Sequence, residues 1–160
     1  MSRLDGRIGR RVPGSGASKA TRSAPRKKKH RYQVFISHSS SDTWVAQVIG
    51  EMVERLGAAV WIDAKDLSGG DFVLQEILNA VHACDEAVVL VTPMSVDSKW
   101  VSVEIGAFLG QRKRVTPVLN HVDHQAISPI QGVKAIDLND LRHFLKELKK
   151  RLARARAGEE

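Results

Sequence analysis

Ala87-Val-Val-Leu-Val-Thr92, stopped by Pro93, is the stretch that decides the fold. A strand with one wet face alternates apolar and polar residues, and this one does not. Both of its faces must be buried, as in the centre of a parallel sheet covered by helices on two sides. Proline cannot donate to a central ladder, so the strand ends at Pro93.

Working outward from that strand, the chain alternates regularly. Upstream, Asp71 is placed to cap a helix carrying Val73, Leu74, Ile77, Leu78 and Val81. Ala58–Ile62 (AAVWI) reads as a strand, and before it Trp44, Val45, Val48, Ile49, Met52, Val53 and Leu56 recur at helical spacing, with Gly57 as the stop. Tyr32–Ser37 (YQVFIS) is the first strand. Downstream, Ser98 or Asp97 caps a helix whose Val101, Ile105, Phe108 and Leu109 face inward. Val115–Leu119 is a fourth strand, placed near an edge by Pro117. Residues 120–132 are irregular, Val133–Asp137 forms a fifth strand, and a final helix runs from Leu141 to about Ala157. Five strands alternating with helices predict a three-layer, flavodoxin-like α/β fold with a parallel sheet in the order 2-1-3-4-5. The binding crevice of such a sheet lies at the exits of strands one and three.

Charge divides the chain. Residues 1–31 hold eleven Lys or Arg against the single acid Asp5, a net of +10, while the remainder holds fourteen basic and seventeen acidic residues, a net of −3. Residues 1–30 are too poor in apolar side chains to offset ordering entropy and read as a disordered basic leader. The domain is expected over residues 31–157, with 158–160 as a tail. The run Arg26-Lys-Lys-Lys29 has no aromatic residues interleaved, which argues against a nucleic-acid reader. No apolar run approaches the ~20 residues needed to cross a bilayer, nor is there the apolar core of a secretion signal. The one cysteine, Cys84, sits at the apolar end of a helix and reads as an inert buried thiol. Together these suggest a cytoplasmic chain without a membrane partner.

Two polar features converge on the crevice. The loop His38-Ser39-Ser40-Ser41-Asp42-Thr43 presents hydroxyls and amides at a helix N-terminus, where ordinary capping by Ser41 or Asp42 and the binding of ribose or phosphate oxygens are both served. It lacks the glycine-lysine pattern of an NTPase phosphate loop, and the third strand ends without the aspartate of a phosphoacceptor. On the other side, Trp100 and Glu104 stand four apart, on one face of the helix after strand three. An aromatic plane beside a carboxylate suits a nucleotide-like substrate whose sugar develops positive charge; a core Trp and a surface Glu would read the same way. Between strand two and its helix, Asp63-Ala-Lys-Asp66-Leu-Ser-Gly-Gly-Asp-Phe72 has paired glycines that permit movement, as a lid carrying Phe72 or as a surface turn. No metal-ligand spacing or serine triad is present, and His121-x-x-His124 reads as solvated surface.

Tyr32-Gln-Val-Phe-Ile-Ser-His38, then Val60-Trp-Ile-Asp63, then Ser98-Lys-Trp-Val-Ser-Val-Glu104, resemble the Toll/interleukin-1 receptor (TIR) domain family, in order and over about residues 32–150. The resemblance implies that residues 63–72 correspond to the family's BB loop. It also implies that Glu104 matches the glutamate with which enzymatic members cleave NAD+ at the nicotinamide–ribose bond. Val101 stands where plant-like members often have cysteine. On this reading Glu104 is catalytic. His38, Ser39, Ser40, Asp66, Phe72 and Trp100 contact substrate. NAD+ is the substrate, with no other cofactor or metal. Partners implied are further copies of the chain, assembled through the BB loop, and a separate effector responding to the product, as in small bacterial TIR proteins of antiphage defence. Two alternatives stay open: a non-catalytic TIR adaptor, and a base-exchange enzyme similar to nucleoside deoxyribosyltransferases, which share the α/β layout and a catalytic glutamate.

Overall fold

The computed structural model describes residues 30–62, 73–96, 98–123 and 132–158. The element order is β1 (Gln33–Ser37), α1 (Thr43–Arg55), β2 (Ala59–Ile62), α2 (Val73–Ala83), β3 (Glu86–Val91), α3 (Lys99–Gly110), β4 (Arg114–Leu119), β5 (Ile136–Asp137) and α4 (Leu141–Ala157). All strand pairs are parallel, in the order β2-β1-β3-β4-β5. Every residue of β3 is buried, as its unbroken apolar run requires.

Strand alternation divides the core in two. Val34, Ile36, Val88, Leu90 and Val118 face α1 and α4, while Phe35, Ala87, Val89 and Val91 face α2 and α3. The helix faces match: α1 buries Ala46, Ile49, Gly50 and Val53, and α4 buries Leu141, Phe144, Leu148 and Leu152. Gly57 ends the first helical segment at φ 95°, a conformation that favours glycine. Ser98 caps α3 by accepting from the Val101 amide.

Three expectations need correction. Trp44 shares the helical spacing of the apolar set but is 74% exposed. It lies two residues before Ala46, ~200° around the helix, and so off the buried face. Strand β5 is two residues long, not five. Ile136 pairs with Val118, so any earlier rung would fall opposite Pro117, which cannot donate to the ladder. Asp42 precedes α1 without a capping side-chain bond. The Asp71 cap lies outside the described residues, as do the 1–30 leader except His30 and the tail except Gly158.

Candidate functional site

The site begins with a matter of parity. Phe35 points to the α2/α3 side of β1, so Ser37, two residues on, points the same way. On α3, Phe108 and Glu104 are four apart and share a helix face. The Phe35 and Phe108 rings meet at 5.0 Å between centroids, tilted by 52°. Two strand residues advance ~6.6 Å and four helix residues ~6 Å, so the next rung of the same contact brings Ser37 against Glu104. There Ser37 Oγ donates to Glu104 Oε2 in a short hydrogen bond. Trp61 stacks on Phe35 as well, at 4.8 Å and 16°. An aromatic stack thus sits one rung below a carboxylate.

Glu104 is 1% exposed and Ser37 is fully buried. Holding a carboxylate out of water costs several kcal/mol unless its partners recover it. Ser37 supplies one such partner. It lies at the carboxyl end of β1, beside β3 in the register Ser37↔Val89, where the strand order reverses.

The two loops that leave this end of the sheet are bolted together. Thr92 Oγ1, just past β3, donates to Asp42 Oδ2 at 2.7 Å, across the gap between the β1 and β3 exits. Thr92 also accepts from the Met94 amide, while its own amide donates to Ser95 Oγ at 2.8 Å. Asp42, one of the two residues that could cap α1 with Ser41 the other, is spent on this bridge instead. Its side chain accepts a hydroxyl from the neighbouring loop, which needs a carboxylate as much as a cap does.

Of the residues expected at the site, the described structure places Glu104 and the His38–Ser40 loop at one end of the sheet. His38 is buried, follows directly on Ser37, and its Nε2 lies 3.2 Å from Thr43 Oγ1. Ser39 is half-buried and Ser40 exposed. The Ser40 carbonyl accepts from Thr43 Oγ1 at 2.8 Å. The Trp100 backbone lies in the first turn of α3, one turn before Glu104, but its side chain is outside what is described. Asp66 and Phe72 fall outside the described residues altogether. Ser37 was not singled out from the sequence, although the alternation from Phe35 points it toward α3. Trp44 and Met94, 74% and 60% exposed, add apolar surface to the same end of the sheet.

Comparison with known proteins gives a consistent family. Residues 34–153 match the model of the TIR domain. The NAD(+) hydrolase TcpC of Escherichia coli O6:H1 is 24% identical over 131 residues, 76% of this chain and 42% of that protein. The stimulator of interferon genes protein of Magallana gigas is 28% identical over 77 residues, 48% of this chain and 19% of that protein. The chain therefore spans less than half the length of either relative. Among solved structures, the TIR domain of the Toll-related receptor TRR-2 from Hydra magnipapillata aligns with a TM-score of 0.59 at 17% identity, covering 74% of this chain and 98% of that one. A TIR-STING receptor from C. gigas gives 0.61 at 24% identity, covering 79% and 40%. These structural likenesses establish the shared fold.

Proposed function

The chain belongs to the TIR domain family, and from that premise we propose that it cleaves the nicotinamide–ribose bond of NAD+. The observation that carries this reading is the buried Glu104 carboxylate, anchored by Ser37 at the crevice of the sheet. The NAD(+) hydrolase relative supports it.

The chemistry asks for one carboxylate. Nicotinamide departs as a neutral molecule, so its leaving needs no proton, unlike the sugar alcohol expelled by ordinary glycosidases. The barrier is the positive charge growing on the ribose. A fixed carboxylate in a site that excludes water stabilises that charge far more than it would in bulk solvent. Glu104 meets the ribose and its developing cation, and Ser37 holds Glu104 in position. Trp100 and Phe72 shape and close the nicotinamide pocket, while His38, Ser39, Ser40 and Asp66 meet ribose or phosphate oxygens. Water then adds to the ribose carbon and releases its proton to solvent, giving ADP-ribose. Capture by a nucleophile within the same substrate gives a cyclic isomer. The biological setting that fits is immune signalling of the antiphage kind, with the product read by a separate effector.

Nicotinamide release by wild type and Glu104→Gln, at protein concentrations that permit assembly, tests the role. Gln keeps the shape and removes the charge. A loss of about 10²-fold or more is expected, on the scale of removing a main electrostatic stabiliser. Equal rates would remove Glu104 from the mechanism. A second reading, a non-catalytic interaction module, draws on the exposed Trp44 and Met94. Capture of a partner with no turnover of NAD+ by the wild type would favour it.

A further inference from the structure

On the sheet face opposite Glu104, α4 closes a groove of about 390 Å³ against β4 and β5. Among the described residues its wall carries Arg114, Lys134, Lys150, Arg151 and Arg154, with Glu147 as the one acid. Two of these cations are committed. Arg151 grips Glu86 through two bonds of 2.8 and 2.9 Å, and Lys150 pairs with Glu147 at 2.7 Å. Arg114, Lys134 and Arg154 are exposed, with no ion-pair partner among the described residues.

The charge continues beyond the groove. Arg142, Lys146, Lys149 and Arg156 are all exposed on α4, whose 17 residues include seven Lys or Arg and one acid. Like charges one turn apart weaken a helix, and a surface serving solubility alone would mix its signs. A row of ~21 Å is matched by an extended polyanion. The chain also enters this side at His30, where Arg31 and Arg156 line a second cavity, after a stretch in which residues 1–31 hold eleven Lys or Arg.

The surface discriminates among polyanions. The exposed large apolar residues among those described are Trp44, Met94 and Val103, none on α4, so this face offers nothing to sink into an acyl layer. Among the described residues it offers no exposed Phe, Tyr or Trp ring; the exposed ring on α4 is His143 at the groove, and a single imidazole gives no platform for successive unpaired bases. A free nucleotide would fill the groove but leave the outer row of α4 unengaged. We propose that the α4 face binds the phosphate backbone of double-stranded nucleic acid without reading its sequence, Arg114, Lys134 and Arg154 gripping phosphates at the groove. The lack of aromatics noted in the leader argues against base stacking, and backbone binding does not require it.

The test is fluorescence anisotropy of the full chain with a labelled duplex of ~20 base pairs across a salt series. The variants are Arg114→Ser/Lys134→Ser/Arg154→Ser in the groove and Arg142→Ser/Lys146→Ser/Lys149→Ser on the outer row. The groove variant should lower the slope of log affinity against log salt by about 2.7, for three lost phosphate contacts. At 0.1 M salt that corresponds to a loss on the order of 10²-fold. The outer-row variant should shift in the same direction and decides the matter should the groove variant misfold. Unchanged affinity and slope would overturn the proposal, because the leader alone would then account for binding. Binding of phosphatidylserine vesicles or of inorganic pyrophosphate, with none of duplex, would overturn it equally.

Discussion

Replacing Ser37 by alanine probes the placement of the carboxylate more finely than removing the carboxylate does. The side chain is fully buried and its hydroxyl donates to Glu104 Oε2, so the substitution takes a donor from a buried anion. A hydrogen bond to a charged group contributes about 1.5–3 kcal/mol. That contribution favours the ionised over the neutral carboxyl, and each 1.36 kcal/mol of such preference is about one pH unit. Losing it disfavours the ionised form, so the acid limb of the rate profile moves to higher pH. Stability at neutral pH falls by a similar amount, and the difference narrows in acid, where the carboxylate is neutral in both proteins. Nicotinamide release from pH 4.5 to 8, beside urea denaturation at the two ends of that range, reads both effects. An acid limb that superimposes on the wild type while stability drops would refute the reasoning. Ser37 would then be packing, and the ionisation that limits the rate would lie elsewhere.

Other outcomes follow from the same structure. Glu86 is fully buried and held by Arg151 and by the Tyr32 hydroxyl at 3.0 Å, so Arg151→Met should cost about 3–5 kcal/mol in chemical denaturation. Adding Glu86→Gln should restore part of that loss, and a double variant no more stable than the single would contradict a charge-based cost. Burial pushes the Cys84 thiol up to about 11, and burial followed by the Glu86 charge raises the Tyr32 hydroxyl. Both groups hold their protons more tightly in the folded chain, so stability is full below about pH 9 and is lost as pH rises toward 11. Cys84→Ala should flatten the thiol part of that decline, and an identical slope in the variant would show the thiol has no share in it. If Trp44 and Met94 seat a second copy, the NAD+ cleavage rate per subunit should rise with protein concentration, and Trp44→Glu should flatten the rise without unfolding the chain. A flat rate in the wild type would exclude assembly-dependent activity.

Helix and strand placement was legible because it follows from periodicity, which local sequence carries, and the sheet order from the connection rules for strands alternating with helices. The all-apolar Ala87–Val91 could occupy only a strand covered on both faces, and β3 is buried throughout. Trp44 was misplaced because an aromatic residue in a helical pattern resembles core until the buried face is counted from Ala46 and Ile49. Strand β5 was overestimated because its length is set by a partner, Pro117, and not by its own residues. Ser37 and the Asp42–Thr92 bridge were missed for a related reason. Each joins residues 50 or more positions apart, and spacing along the chain is silent about such pairs.

That difference bears on how the site works. The parts legible from local pattern form the scaffold, and the parts that were not are the contacts fixing the distance between the two walls of the crevice. Glu104 is set in depth by the Phe35–Phe108 contact one rung below it, in a core too densely packed to let α3 slide freely along β1. The Asp42–Thr92 bond sets the separation of the loops above. A carboxylate located this way moves little as charge appears on a bound sugar. For the proposed cleavage of NAD+, little reorganisation would then be needed, which is the condition under which one fixed charge can suffice.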